Sequence, residues 1–375
     1  MNKSGISLGR ILGISVALDY SWFLIFALVT WSLASSYYPA EFPNWPAAQY
    51  WVVGGLTAIL LFASVLLHEL AHSLVARRYG TPVSSITLYI FGGVSQLDRE
   101  PPSATAEFWM ALAGPGTSIA LAVLFVLLQP LAAVTAPLLA LVRYLAYING
   151  SLAVFNLIPG FPLDGGRVLR AVLWGTTRSL GQATRIAATV GRFIAYLFIL
   201  SGVWMMLTGD LGNGLWIAFI GWFLESAASS HVRQQGLQDV LAGHKVTEVM
   251  NRDYAAIPAG TSLQELVDRH ILAGGKRSFV VMQDGQMLGL VTLHCIKETP
   301  RDDWPLTTAA QCMIPAAQVK RVRPDAELWA ALDEMQRDGV NQLPVMTDGQ
   351  IVGMLSRDDI ISFIGAHREL GLASH

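Results

Sequence analysis

The sequence predicts a polytopic α-helical membrane protein with about six transmembrane helices and a small β-hairpin at the membrane surface, followed by a soluble α/β region. Hydrophobic residues make up 53% of the 375 residues and charged residues only 14%, against about 25% charged residues in ordinary soluble domains. Long apolar segments fill the chain up to about Ser229. Beyond that point the composition is that of a soluble domain in which one pattern occurs twice.

Six segments are long and apolar enough to cross about 30 Å of hydrocarbon. They cover residues 17–36, 51–76, 107–128, 136–158, 186–207 and 214–230. Lys3 and Arg10 precede the first segment, as in a signal peptide. Because no clear cleavage site of small residues follows it, and because it is long enough to span, we expect it to remain as the first transmembrane helix.

The basic residues predict the orientation of these spans, since cytoplasmic loops are enriched in Lys and Arg. Six alternating spans put one group of basic residues on a single side: Lys3, Arg10, Arg77, Arg78, Arg99, Arg167, Arg170, Arg178, Arg185 and Arg233. The opposite loops, 129–137 and 208–214, contain neither Lys nor Arg. We therefore expect a multi-pass protein of the inner or plasma membrane with both termini in the cytoplasm. The net charge of −2 and the absence of a basic stripe give no reason to expect a nucleic-acid partner.

The segment between the second and third spans predicts the membrane-surface hairpin. Residues 81–97 are rich in β-branched side chains and are interrupted by the glycine pair Gly92-Gly93. An exposed edge of such a hairpin could accept an unwound peptide by strand addition, and a packed surface hairpin is an equally good interpretation.

The second span ends in a motif that predicts metal chemistry. His68 and His72 are four residues apart, so on a helix they share one face, and Glu69 stands beside them. This H-E-x-x-H pattern follows a run from Trp51 to Leu67 that contains no ionisable residue. Charged groups in such a segment are costly unless they face a cavity, each other or a metal, so we interpret the motif as a zinc site.

A catalytic zinc site needs a third protein ligand and leaves one position for water. The best candidate is Asp164, the only acid in the irregular stretch of residues 156–166, which ends the fourth span with two prolines and three glycines. Irregular backbone at membrane depth is tolerated where it lines a protein or water-filled cavity. On its own, Asp-Gly-Gly would read as a cytoplasmic turn, and the H-E-x-x-H motif makes the ligand interpretation the better one.

A membrane H-E-x-x-H, a later N-x-x-P-x-x-P-x-D-G-G and a span that contains Gly114-Pro115-Gly116 resemble the site-2 protease family of intramembrane zinc metalloproteases (peptidase M50). The resemblance covers about residues 1–230. It implies one zinc ion bound by His68, His72 and Asp164, with Glu69 as general base, and cleavage of a substrate's transmembrane helix.

The same resemblance implies how substrates are held and what they are. Asn156 and the strand at Phe91, Gly92 and Gly93 are associated with holding the unwound substrate. The implied partners are membrane-anchored proteins of the anti-sigma or pro-sigma type, or signal-peptide remnants. The PDZ domain that family members often carry between spans has no counterpart in this sequence, so we do not infer that a PDZ module senses earlier cleavage.

The soluble region contains an internal repeat, since residues 246–298 align with 309–362. The clearest match surrounds Asp284-Gly285 and Asp348-Gly349, and each unit reads in the order β-α-β-β-α. The repeat resembles a tandem pair of CBS domains. That resemblance implies an adenine nucleotide (ATP, ADP or AMP) as a ligand and a homodimer as the assembly.

The two repeats match the CBS pattern unequally. Ser356 and Asp359 fit the family's [ST]-x-x-D, whose hydroxyl and acid contact phosphate and ribose, whereas Cys295 stands where the first repeat should have its acid. One nucleotide site is therefore expected, and a dimerisation module that binds nothing is the alternative. We expect Cys295 and Cys312, the only cysteines, to be unpaired core residues.

The predicted domains are residues 1–230 for the protease, 231–243 for a linker, 244–300 for the first CBS repeat and 301–375 for the second. The predicted function is zinc-dependent intramembrane proteolysis regulated by adenine nucleotide. The alternative is a CBS-regulated ion transporter or channel whose path is lined by His68, Glu69 and His72. An inactive scaffold is disfavoured because every residue that the chemistry needs is present.

Overall fold

The computed structural model describes residues 5–90, 92–97, 100–272 and 278–370. The chain forms two compact units, Met1–Gln235 and Gly236–His375. The first unit is built mainly of long apolar helices and the second of short strands and helices. The predicted fold class is therefore confirmed, whereas the predicted domain boundaries remain predictions.

The helices that begin in the first unit include the predicted spans. They are α1 (Tyr20–Ser32), which continues through a π-helical segment (Leu33–Tyr37) into α2 (Tyr38–Glu41), then α3 (Ala47–Arg78), α4 (Ala104–Ala132), α5 (Ala136–Asn156), α6 (Asp164–Thr177), α7 (Leu180–Leu207) and α8 (Leu211–Leu241). In the described part of the chain, five helices are long and apolar enough to cross a membrane: Tyr20–Glu41, α3, α4, α5 and α7. These five correspond to the first five predicted spans.

The sixth predicted span, residues 214–230, lies within α8, which is not one of those five helices. Asn213 and Glu225 lower the apolar character of this helix. Helix α8 also continues through most of residues 231–243, where a linker was expected. The sixth crossing and the orientation derived from it remain predictions.

A four-stranded sheet accompanies the helices of the first unit. Its strands are β1 (Gly5–Ile11), β2 (Ile14–Asp19), β3 (Val83–Tyr89) and β4 (Gly92–Leu97), in the order β1-β2-β3-β4. The predicted hairpin is the antiparallel pair β3–β4, and β2 joins β3 in parallel. Ile14 of β2 and Ile86 of β3 are buried with Leu70 of α3, so the sheet packs beside the H-E-x-x-H turn.

The second unit contains the predicted repeat. Its elements are α9 (Val246–Val249), β5 (Ala256–Pro258), α10 (Leu263–Glu265) with a π-helical continuation (Leu266–Leu272), β6 (Ser278–Gln283), β7 (Gln286–Thr292), α11 (Leu293–Glu298), a 3₁₀ turn (Arg301–Asp303), α12 (Ala309–Cys312), β8 (Ile314–Pro315), α13 (Leu328–Arg337), β9 (Gln342–Thr347), β10 (Gln350–Ser356) and α14 (Arg357–Glu369). Strands β6 and β9 share one pattern of burial, with three buried residues at the same positions. Each hydrophobic core also includes residues from the start of the other repeat or just before it: Leu241 and Val246 pack with residues 322–364, and Ala309 packs with residues 257–296.

The hairpin turns of the two repeats are alike. Asp284-Gly285 and Asp348-Gly349 all have positive φ, which is the backbone of a two-residue type I′ hairpin turn. The first strand of the second repeat is reduced to one parallel bridge between Val322 and Val345, so β9 and β10 form a sheet of two strands.

Our expectation that the two cysteines are unpaired is wrong in this structure, which joins Cys295 and Cys312 in a disulfide. Cys295 lies on α11, directly after β7, and Cys312 ends α12. Strand β8, which follows α12, pairs with β7 and so brings the two cysteines together, with their Cα atoms 6.0 Å apart.

Candidate metal and catalytic centre

Helix α3 presents both histidines of the motif on one buried face. His68 and His72 are only 4% and 7% exposed. Their outer ring nitrogens are held by α4: His68 Nδ1 lies 2.9 Å from Ser118 Oγ, and His72 Nδ1 lies 2.6 Å from the backbone oxygen of Met110. The Nε2 atoms of both histidines therefore point away from Ser118 and Met110 and toward a common point.

Asp164 meets those two nitrogens from another helix. It is the first residue of α6, and its Oδ2 atom lies 3.1 Å from His68 Nε2 and 3.2 Å from His72 Nε2. The two glycines after it allow a tight approach, because a Cβ at Gly165 or Gly166 would come within 2.3 Å of the backbone of residues 157 and 160. The sequence-predicted trio is thus brought together across 96 residues.

The three side chains suit a zinc ion. One ligand atom from each lies within 4.8 Å of the others. Tetrahedral zinc with Zn–N and Zn–O bonds of about 2.0–2.1 Å separates its ligand atoms by about 3.3 Å, which is close to the two distances above. Ring nitrogens fixed by hydroxyl or carbonyl partners are typical of zinc-binding histidines, since the partner fixes the ring orientation.

Gly114 of α4 provides the space beside these ligands. A Cβ at this position would lie 2.2 Å from His72 Nε2 and 2.5 Å from His68 Nε2. Met110, Gly114 and Ser118 are spaced four residues apart, so one face of α4 carries all three contacts with the centre. On the sequence alone, Gly114-Pro115-Gly116 served only as part of the resemblance to the site-2 protease family. The i, i+4, i+8 spacing was the available signal for its second role.

Glu69 lies next to the trio and is held by the sheet. The Ser95 hydroxyl on β4 donates a hydrogen bond of 2.8 Å to Glu69 Oε2. A Cβ at Gly93 would lie 2.4 Å from Glu69 Cγ, so the backbone of β4 rests directly against this side chain. Burial, with a smaller contribution from the charge of Glu69, raises the pKa of nearby Tyr89.

The other residues assigned to substrate contacts have different surroundings. Asn156 ends α5, and its side-chain amide donates to the backbone oxygen of Leu152 at 3.0 Å. Gly92 opens β4 with a φ of 124°, a conformation that favours glycine. Phe91 lies outside the described residues.

A buried ion pair links α4 to α6 near the centre. Glu107 on α4 is fully buried and accepts hydrogen bonds from the guanidinium of Arg170 on α6, one of them from Nε at 2.6 Å. The guanidinium also lies 5.1 Å from the centre of the Phe161 ring. The sequence interpretation used Arg170 only as a marker of membrane orientation. The signal it missed is Glu107, the single acid in the third predicted span.

In the second unit, Ser356 and Asp359 bond to each other. The Ser356 backbone N–H and hydroxyl both donate to Asp359 Oδ2, at 2.9 and 2.6 Å, and the Asp359 N–H lies 3.1 Å from Ser356 Oγ. This reciprocal pattern is a capping box at the start of α14. Helix α11, the equivalent helix of the first repeat, has Thr292 at its N-cap position, and that residue makes no side-chain capping hydrogen bond.

Comparison with known proteins gives matches along nearly the whole chain. The model of peptidase family M50 matches residues 56–133 and 129–199, and the CBS domain model matches 246–300 and 303–366. "Putative zinc metalloprotease Rip3" of Mycobacterium tuberculosis is 36% identical over 98% of this chain and 94% of its own length. "Putative zinc metalloprotease sll0528" of Synechocystis is 34% identical over 96% and 95%. Among solved structures, the site-2 protease of Methanocaldococcus jannaschii is 30% identical, with a TM-score of 0.43 over 61% of this chain and 95% of that one.

Proposed function

The chain belongs to peptidase family M50, as a site-2-protease-like zinc metalloprotease with a pair of CBS domains, and we propose that it cleaves peptide bonds within the transmembrane segments of membrane-anchored proteins. The observation that carries this proposal is the convergence of His68, His72 and Asp164 beside Glu69 in a buried part of the helical unit. Family membership does not favour the alternative of an ion transporter or channel.

In the proposed mechanism, His68, His72 and Asp164 hold one zinc ion and Glu69 moves protons. When bound there, zinc polarises the scissile carbonyl and acidifies water. Glu69 accepts a proton from the attacking water and delivers it to the leaving amine. Ser118 and Met110 keep the two imidazoles in the orientation that this chemistry needs.

Substrate binding is proposed at β4 and the end of α5. As an edge strand of the sheet, β4 has β3 on one side, and an unwound peptide can add to its other side through main-chain hydrogen bonds. Phe91, Gly92, Gly93 and Asn156 are the residues that we assign to this role. The proposed substrates are anti-sigma or pro-sigma proteins and signal-peptide remnants. We place both termini of the protease in the cytoplasm of a cell that carries it in its inner or plasma membrane.

The experiment that tests the proposed function uses the full-length protein and its Glu69→Gln variant. Glutamine keeps the shape of the side chain but cannot accept the proton, so the variant should retain zinc and lose proteolysis. Comparative proteomics of membranes from cells expressing either form should reveal membrane-anchored proteins that accumulate uncut only with the variant. Normal cleavage by Glu69→Gln would contradict the assignment of the base.

We also propose that the CBS pair binds an adenine nucleotide, joins two chains and tunes cleavage. The support is the [ST]-x-x-D match at Ser356 and Asp359 in the second repeat. Regulation requires that the nucleotide bind two conformations of the protein with different affinity. If saturating ATP, ADP and AMP change neither the cleavage rate nor hydrogen exchange in residues 231–243, the regulatory proposal fails.

A further inference from the structure

The strand that lies against Glu69 contacts it at two positions on one face. Residues two apart along a strand point to the same side, and Gly93 and Ser95 are such a pair on β4. Gly93 offers only its backbone, which approaches the Glu69 side chain too closely for any Cβ. Ser95 offers a hydroxyl, which donates to Glu69 Oε2 at 2.8 Å. The strand therefore limits the position of this carboxylate from two points.

A second serine supports the first from within α3. Ser73 is fully buried, and its hydroxyl donates to the backbone oxygen of Glu69 at 2.9 Å. Its Oγ atom also lies 3.2 Å from Ser95 Oγ. The Ser95 hydroxyl therefore contacts two residues of α3, Ser73 and Glu69, while the Ser95 backbone is part of β4. A hydroxyl fixed in this way costs little ordering entropy when it donates to the carboxylate.

We propose that Ser95 is a positioning residue for Glu69: its hydroxyl holds Oε2 and leaves Oε1 to the reacting water. The inference rests on the proposed role of Glu69 as general base. A carboxylate with three rotatable bonds must otherwise find its catalytic position anew in each turnover, and proton transfer is sensitive to small errors in geometry. Since β4 is also the proposed edge for substrate addition, one strand both receives the peptide and orients the base.

The test compares serine-to-alanine substitutions on the two edge strands of the same sheet. Full-length wild type, Ser95→Ala, Ser95→Thr and Ser7→Ala are purified in detergent, and cleavage of dye-labelled casein, an unfolded polypeptide probe, is followed with zinc content measured in parallel. Ser7 lies on β1, the opposite edge strand, and is exposed. A hydrogen bond to a charged group is worth enough that Ser95→Ala should lower kcat roughly 10- to 100-fold, with KM and zinc content unchanged.

The companion variants separate positioning from other roles. Ser95→Thr keeps the hydroxyl on a strand that accepts β-branched residues, so it should restore most of kcat, and Ser7→Ala should match the wild type. Gly93→Ala should lower kcat by displacing the Glu69 side chain. An unchanged kcat in Ser95→Ala, a change confined to KM, or a loss of zinc would each overturn the inference. Casein cleavage retained by Glu69→Gln would instead contradict the proposed function.

Discussion

The polar residues around His68 come from three helices, whereas those around Ser356 lie within one turn of a single helix. At the first site, atoms from α3, α4 and α6 converge although Asp164 is 96 residues from His68 in the sequence. At the second site, Ser356 and Asp359 are three residues apart and satisfy each other. Both sites match a sequence motif, but only the first arrangement brings together groups that no local backbone requirement explains.

This difference separates two reasons for placing polar groups together. A serine and an acid three residues apart at a helix start form a capping box, and the stability of the helix alone accounts for them. Two imidazoles and a carboxylate gathered in an apolar helical unit cap no helix end, and burying them is costly unless they face each other, a cavity or a metal. The contrast predicts that substitutions at the convergent site have larger effects than substitutions at the helix cap.

Asp164→Ala should have the largest effect, because it removes one of three proposed ligands. Loss of a partner to a zinc ligand alone weakens metal affinity about 10- to 100-fold, so loss of a ligand should weaken it at least as much. Zinc content after dialysis against a chelator, measured by mass spectrometry on purified full-length protein, checks this. The Glu69→Gln variant is the matched control, and equal zinc retention by the two variants would remove Asp164 from the metal site.

Glu107→Gln should come next, because it leaves the Arg170 guanidinium with a neutral partner in a buried position. Breaking one side of a buried ion pair costs about 3–5 kcal/mol. The variant should unfold at a lower temperature in detergent, and α6, which begins with Asp164, should lose hydrogen-exchange protection. The double variant Glu107→Leu/Arg170→Leu removes both charges and should recover part of that stability. A double variant less stable than Glu107→Gln would show that the unpaired charge of Arg170 is not the cause of the lost stability.

The contrast between local and convergent sites also explains which features could be predicted from sequence. His68, Glu69 and His72 form one helical turn, so their spacing alone predicted their common face. Asp164 was predictable because it is the only acid in its irregular segment. The roles of Gly114 and Glu107 depend on how closely α4 approaches α3 and α6, and a single sequence does not contain those distances.

The antiparallel pair of β1 and β2, the N-terminal hairpin, was not predicted from the sequence, for a different physical reason. All seven residues of β1 are exposed, so the alternation of buried and exposed side chains that predicts a strand is absent. Strand β2 does alternate, but its six residues precede an apolar helix and merge with it in a hydropathy pattern. The hairpin is instead held by pairing with β3 and by Arg77, whose guanidinium donates to the backbone oxygen of Leu12 at 2.5 Å.

The smallest predicted effect concerns the capping box and compares the two repeats directly. Ser356→Ala removes the hydroxyl that caps α14, which should cost about 1 kcal/mol of helix stability. Thr292→Ala is the matched control at the equivalent position, where no side-chain cap exists, and it should cost less. Hydrogen exchange in α14 and α11 of the full-length protein measures both. The change in ATP, ADP and AMP affinity in Ser356→Ala is compared with the free energy that α14 loses by hydrogen exchange. If the loss of affinity is no larger than that free energy, Ser356 and Asp359 serve only as a helix cap. A loss of nucleotide affinity well beyond that amount would show that Ser356 binds the nucleotide directly, as we propose that His68 binds zinc.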